Sequence, residues 1–325
     1  SKGQQAEKGF DFIAFKTDLI FNRPQPASET RSLSVAGMPV IGIPRVLNFY
    51  DSYPFWHALF SFCGLTVRLS TVSTPQLNET GMGTVMSENI CFPAKLVHGH
   101  IMDLVKKKVD RIFYPLVMYE KSEFDDALNS YNCPVVSSYA DVIRSAVDPS
   151  KRFDIPLDRP VIGFHDPGLL KKACWKYLKS FGLDKKTVYP AVAEALLERG
   201  RVRARIREKG RERIDRAAKD QSLLIVLATR PYHADRLVNH RMPDILSGLG
   251  ADTITEDAVP EDAGALDQVR VVTQWSYPNR IYQAAEWTAR QPGNVQMVQL
   301  NSFGCGPDAV VVDEVKEILR ARGKN

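Results

Sequence analysis

The chain has 325 residues, 44% of them apolar and 25% charged, and a formal net charge of +5. These are the values of an ordinary globular protein long enough for two domains, with five cysteines, Cys63, Cys91, Cys133, Cys174 and Cys305. No apolar run reaches the roughly 18 residues of a membrane span, so no membrane partner is expected. The opening SKGQQAEKGF lacks the apolar stretch of a secretory signal. It also lacks a methionine, and the chain is expected to be a piece of a longer polypeptide. An odd cysteine number without a secretory signal points to a reducing cytoplasm.

Residues 1–35 are polar, contain Pro24 and Pro26, and read as a lead-in segment. MPVIGIP (38–44), a short apolar run bounded by proline, reads as a buried strand. YPFWHALFSFCG (53–64) has helical apolar spacing, with Pro54 in the first turn and Gly64 as the stop. A strand at 65–70, a helix at 92–107, a strand at 109–115 and a helix at 138–147 follow. This alternation predicts a parallel sheet with helices on its faces. PVIGFHD (160–166) reads as one more strand. Helical stretches are expected over 168–181 and over 187–219, the latter interrupted at Pro190, Gly200 and Gly210. Alternation then resumes: a strand at 222–231, a helix ending within 243–250, a helix at 279–293, a strand at 295–303 and a helix at 308–323. The expected fold class is α/β, two parallel-sheet domains with a helical middle segment. Its boundaries are a lead-in to 35, an N-terminal α/β domain over 36–150, a helical connector over 151–221 and a C-terminal α/β domain over 222–325.

RGRVRARIREKGRERIDR (199–216) holds most of the positive excess. Acids are interspersed and no aromatic residue is there to stack on bases. It therefore reads as a solvated helix, and no nucleic-acid partner is expected. The chain contains no GxxxxGK[ST], HExxH or GxSxG motif and no cysteine pair with zinc-finger spacing. Its chemistry must rest on dispersed residues.

Three cysteines share one local design: Cys91 in ICFPAK, Cys133 in YNCPVV and Cys305 in FGCGPDA. Each is followed by proline at one residue or two, and Pro93 and Pro307 fall where a helix opens. A sulfur at a helix start faces unpaired N–H groups and the positive end of the helix dipole, which favours thiolate. Thiolates are nucleophiles and ligands for soft metal centres. Two readings stay open on the residues alone: inert buried thiols, or a metal or iron–sulfur site where the three converge. Cys63 and Cys174 lie on apolar helix faces, where packing explains them.

IGIPRVLNFYDSYPFWHALFSFCGL, SENICFPAKLVHGHI, DRIFYPLVMYE, YNCPVVSSYADVI, RPYHADRLVNHRMPDIL, TQWSYPNRIYQAAE and QLNSFGCGPDAV resemble the domain associated with activators of 2-hydroxyacyl-CoA dehydratases. That domain belongs to the benzoyl-CoA reductase and 2-hydroxyglutaryl-CoA dehydratase superfamily. The resemblance runs from about residue 39 to the C-terminus. It implies Rossmann-like α/β domains and an anaerobic acyl-CoA system. It also implies an iron–sulfur cluster, 4Fe-4S in kind, held between domains by three cysteines, and an ATP-dependent activator as electron donor. The cysteine positions correspond to Cys91, Cys133 and Cys305. Two departures stand out: Leu116 stands in FYPL where the family often has cysteine, which implies either a cluster with one iron open or a lost site, and Thr229 replaces glycine in TRPYH.

Further polar candidates for substrate contact are Lys95, His98, Arg230, His233, Gln274 and Asn301. His98 and His100, two apart on a helix, point away from each other and cannot share one centre; both read as helix-surface residues. The functional expectation is an iron–sulfur redox module of an acyl-CoA dehydratase- or reductase-type system. The alternative is a non-enzymatic regulatory or scaffolding domain whose site is empty or holds zinc.

Overall fold

The computed structural model of the chain describes residues 8–23, 37–261, 266 and 269–324. It divides into two compact units: Ile20–Ser122 with Ser130–Arg201, and Ser1–Leu19 with Glu123–Asn129 and Val202–Asn325. The stretch expected as a polar lead-in contains helix α1 (Phe12–Phe21); Pro24 and Pro26 lie outside the described residues.

In the first unit, β1 (Val40–Ile43), β2 (Thr66–Leu69), β3 (Arg111–Phe113), β4 (Leu116–Tyr119), β5 (Leu157–Asp158) and β6 (Val161–Gly163) form two sheets. Their orders are β2-β1-β3-β5 and β4-β6, and every ladder is parallel. Helices α2 (Phe49–Phe62), α3 (Pro75–Met82), α4 (Phe92–Lys106), α5 (Pro134–Ala146) and α6 (Pro149–Phe153) supply the crossovers, and α7 (Pro167–Leu178) follows the last strand. Helix α2 begins before the expected Tyr53, because Phe49 and Tyr50 extend its buried face; Pro54 therefore sits inside the helix and not in its first turn. An aromatic core joins α2 to the strands. Trp56 lies 4.7 Å from Phe113, Phe60 5.0 Å from Phe113, and Phe55 5.1 Å from Phe164, all between ring centroids. Such edge and tilted contacts add about 0.5–1.5 kcal/mol per pair beyond area burial.

Helices α3 and α4 cross at two glycines. A Cβ on Gly81 would lie 2.2 Å from the Gly99 nitrogen, and one on Gly99 2.3 Å from the Leu77 carbonyl oxygen. Only glycine permits this approach, and it presses Thr84, just beyond α3, against His98 of α4.

Helix α8 (Lys185–Asp220) is continuous over 36 residues. The expected interruptions at Pro190, Gly200 and Gly210 do not occur. Gly210 is there for packing: a Cβ would lie 2.4 Å from the Ala258 carbonyl oxygen.

In the second unit, β7 (Leu224–Ala228), β8 (Asp252–Thr255) and β9 (Val295–Gln299) form a parallel sheet in the order β8-β7-β9. All five residues of β7 are buried, the pattern of a central parallel strand covered on both faces. Helices α9 (Met242–Gly248), α10 (Ser276–Ala289) and α11 (Gly306–Arg320) belong to this unit, together with α8 from Val202 on. The core is built from Ile281, Tyr282 and Ala285 of α10, Val311, Val315 and Ile318 of α11, and Ala228 of β7. The chain passes from one side of β7 to the other between β8 and β9. This creates a topological switch point, where open α/β sheets bind ligands beyond the carboxyl ends of their strands.

Candidate functional site

Cys91, Cys133 and Cys305 are the N-cap residues of α4, α5 and α11, each helix opening with proline. None of these side chains caps its own helix by a hydrogen bond. Cys91 and Cys133 belong to the first unit and Cys305 to the second. Cys63 instead caps the C-terminus of α2, where burial pushes its thiol up to about 12. Cys174 lies buried inside α7 with its thiol raised by burial, then by Cys63. Both are packed, protonated thiols.

In the first unit, Tyr114 and Tyr139 stand beside the two cysteines. Burial first, then Tyr139, Cys133 and Cys91, raise the Tyr114 hydroxyl well above its usual range. That hydroxyl is buried without a hydrogen-bond partner among the described residues. Burial, then Cys91, pushes Tyr139 up to about 12. Tyr139 Oη lies 3.0 Å from His98 Nε2, and His98 Nδ1 lies 2.8 Å from Thr84 Oγ1. The Thr84 hydroxyl donates to the Gly81 carbonyl at 2.8 Å. Its only proton is thereby used, so His98 Nδ1–H donates to Thr84 and Nε2 accepts from Tyr139. Burial pushes His98 down to about 4, consistent with a neutral ring. His100, on the same helix, is held by Ser70 and Ser73 at 2.7 and 2.9 Å. The two histidines point apart as expected, but both are fully buried and not on the helix surface. The Gly81–Gly99 crossing hides one and the serines after β2 enclose the other.

In the second unit, Arg230 and His233 follow β7, while Asn301, Ser302 and Cys305 follow β9. They meet at the switch point. The Arg230 N–H donates to His233 Nδ1 at 3.0 Å, which fixes the proton on Nε2, facing Ser302 Oγ at 3.2 Å. Burial pushes His233 down to about 3. Asn301, Ser302, Cys305 and Asp308 line a shallow cavity of about 490 Å³. Burial, then Asp308, pushes the Cys305 thiol up to about 11. The helix start favours thiolate here, but the buried carboxylate three residues on opposes it.

A family model, the CoA enzyme activase uncharacterised domain (DUF2229), matches residues 40–259. The chain belongs to this family. No curated protein and no solved structure matches it significantly.

The donor chemistry of this activase-domain chain can be tested against a thiolate-held cluster. Cys91 and Cys133 fit, as uncapped thiols at helix starts with an unpaired buried Tyr114 hydroxyl beside them. Cys305 has the same local geometry but a thiol held protonated. Among the described residues, no three His, Cys, Asp or Glu side chains are grouped to hold a metal ion. Leu116, where the resemblance implies cysteine, opens β4 and is half-buried. Lys95 donates to the Glu88 carbonyl at 2.7 Å, and Gln274 is half-buried just before α10. Neither lines the cavity at Cys305.

Tyr114, Tyr139, Thr84 and Asp308 did not stand out in the sequence. FYP and SSYAD gave no reason to single out their tyrosines, although the cysteine–proline motifs beside them marked the place. Among the described residues, no helix is long and apolar enough to cross a membrane.

Proposed function

We propose that the chain is the iron–sulfur redox module of an anaerobic acyl-CoA dehydratase- or reductase-type system. Cys91, Cys133 and Cys305 would hold its cluster, 4Fe-4S in kind. The observation that carries this reading is the common geometry of the three: each is the N-cap of a proline-opened helix with no side-chain cap of its own. Free first-turn N–H groups and the positive helix end stabilise a thiolate and the negative charge of a cluster. The Tyr114 hydroxyl supports it, because a cluster sulfide or thiolate would give that buried donor an acceptor. When bound, the cluster would supply one-electron chemistry tuned by such hydrogen bonds. With Leu116 in place of a fourth cysteine, one iron would stay open to substrate. The implied partners are an ATP-dependent activator and an acyl-CoA.

A second reading is favoured by the surroundings of Cys305, where burial and the Asp308 carboxylate push the thiol up. Under it the chain is a non-enzymatic regulatory or scaffolding domain, with the site empty or holding zinc. Iron, sulfide and zinc analysis of anaerobically purified protein separates the two. The first expects iron and sulfide, an EPR signal after dithionite, and loss of both in C91A, C133A and C305A but not in C63A or C174A. Zinc alone, or iron retained in the triple variant, overturns it.

A further inference from the structure

The unneutralised positive charge of the chain does not lie where the sequence concentrates its cations. Along α8 most of them meet an acid of the same helix: Arg201 pairs with Glu194 and Glu198, Arg205 with Glu208, and Lys209 with Glu212. The end of α7 and the start of α8 differ. Residues 167–186 carry six lysines, Lys171, Lys172, Lys176, Lys179, Lys185 and Lys186, against one acid, Asp184. None of the six forms an ion pair among the described residues. The neighbouring carboxylates are already engaged at helix starts. Asp184 accepts the Thr187 N–H at 2.9 Å and its hydroxyl at 2.8 Å, and Asp166 accepts the N–H groups of Gly168 and Leu169 at 2.6 and 2.8 Å. They feel Lys186 and Lys172 only from beyond ion-pair distance.

Lys172, Lys176 and Lys179 recur at spacings of four and three, so they share one face of α7 and the turn that continues it. All three are exposed. Trp175, half-buried, lies beside them, with the Lys179 ammonium 5.4 Å and the Lys185 ammonium 4.5 Å from its ring centroid. These contacts bring the start of α8 onto the same patch. Like charges at such spacings destabilise a helix, and an anionic surface laid over them removes that repulsion.

Three kinds of polyanion fit the charge, and the side chains choose among them. Arginine supplies the planar fork that holds phosphates, and residues 167–186 contain none. The Trp175 ring faces two ammonium groups, and Tyr177 packs on Phe181 at 5.3 Å. No aromatic ring of this patch is left free to stack on a base or to enter a bilayer. Strongly hydrated ammonium groups on flexible stems suit the carboxylates of a protein surface, in a contact that salt screens. We propose that this lysine patch docks an acidic protein surface, a cluster of Asp and Glu side chains on a partner, in a transient contact steered by charge. The patch is independent of the cysteine cluster.

The test is fluorescence anisotropy of labelled poly-L-glutamate titrated with the full chain at low and at physiological salt, with oligothymidylate and phosphatidylserine vesicles as rival probes. The expected result is binding of polyglutamate that weakens steeply with salt. Lys172→Glu, Lys176→Glu and Lys179→Glu together should weaken it at least tenfold, about 1.4 kcal/mol. Glutamine at the same three positions, which adds no repulsion, should give a smaller loss of the same sign. Arg201→Glu, Arg205→Glu and Arg211→Glu together make the same change of net charge on exposed positions of α8 and should leave binding nearly unchanged. No binding of polyglutamate at low salt, equal loss in the two charge-reversed variants, or tighter binding of oligothymidylate or vesicles through the same lysines overturns the proposal.

Discussion

Arg230 and Asp308 form a buried ion pair that ties the end of β7 to the first turn of α11. Arg230 Nε donates to Asp308 Oδ1 at 2.8 Å, and Nη2 lies 2.7 Å from the same oxygen. Asp308 Oδ2 accepts the Ser302 N–H at 3.2 Å. One carboxylate thus fixes the loop that presents Cys305 and holds that thiol's proton on. Asp308→Asn should act in two directions. Leaving a buried guanidinium without its anion should cost about 3–5 kcal/mol, read as a lower denaturation midpoint. Removing the negative charge should let Cys305 ionise at lower pH and react faster with iodoacetamide than in the wild type. A variant that is destabilised but no more reactive would mean that burial alone holds the thiol.

Tyr114 offers a test that does not depend on turnover. Its buried hydroxyl has no partner among the described residues, so Tyr114→Phe removes an unsatisfied group. Without a bound group the variant should be at least as stable as the wild type, by up to about 1–3 kcal/mol. In iron-loaded protein the reduced EPR spectrum should shift, because a hydrogen bond to the cluster would be gone. An identical spectrum would place Tyr114 outside the bound group's reach.

The pH dependence of stability follows from buried histidines opposed by one glutamate. Burial lowers His57 and His98 to about 4 and His233 to about 3. Each is neutral in the fold but protonates in the unfolded chain near 6.5. Stability should therefore fall as pH drops from about 6.5 toward 4. Glu256 works the other way. Burial, then Asp257, pushes it up to about 7, against the pull of Lys16 and Arg280. Its carboxyl keeps a proton that the unfolded chain loses above about 4.5, so its contribution grows as pH falls through 7. Urea midpoints across this range should decline with acid in the wild type and more steeply in E256Q. His98→Gln should flatten the decline. An unchanged slope in E256Q would show that Glu256 is ionised in the fold.

The helices that follow Cys91 and Cys305 were legible from Pro93 and Pro307, whereas the helix expected at 138–147 begins earlier, at Pro134, directly after Cys133. Cys91 follows α3 and not a strand end. β7 was legible as an unbroken LIVLA run. β8 was not: DTIT is polar in sequence, yet all four residues are buried, with Thr253 bonded to the backbone of Phe10. The surroundings of Glu256 were illegible for a related reason. Its neighbours Lys16, Thr229 and Arg280 come from separated stretches, and no local pattern marks residues that meet only through the fold. The histidines of α4 were misplaced because their cover is a glycine crossing, and glycine has no hydropathy signal to reveal it.

The two glycines of α8 give a final prediction of opposite signs on one helix. Helix propensity alone says that Gly→Ala stabilises by about 0.8–1 kcal/mol at either position. Gly200 is exposed and a Cβ there meets nothing within 4 Å, so Gly200→Ala should raise stability by about that amount. Gly210 is buried, and its Cβ would meet the Ala258 carbonyl oxygen at 2.4 Å and the Ala258 Cβ at 2.8 Å. Backbone cannot yield as a side-chain tip can, so Gly210→Ala should instead cost about 1–3 kcal/mol. Equal stabilisation by both substitutions, measured by urea denaturation, would show that α8 does not press on Ala258, and that the segment beyond β8 is free to move away from it.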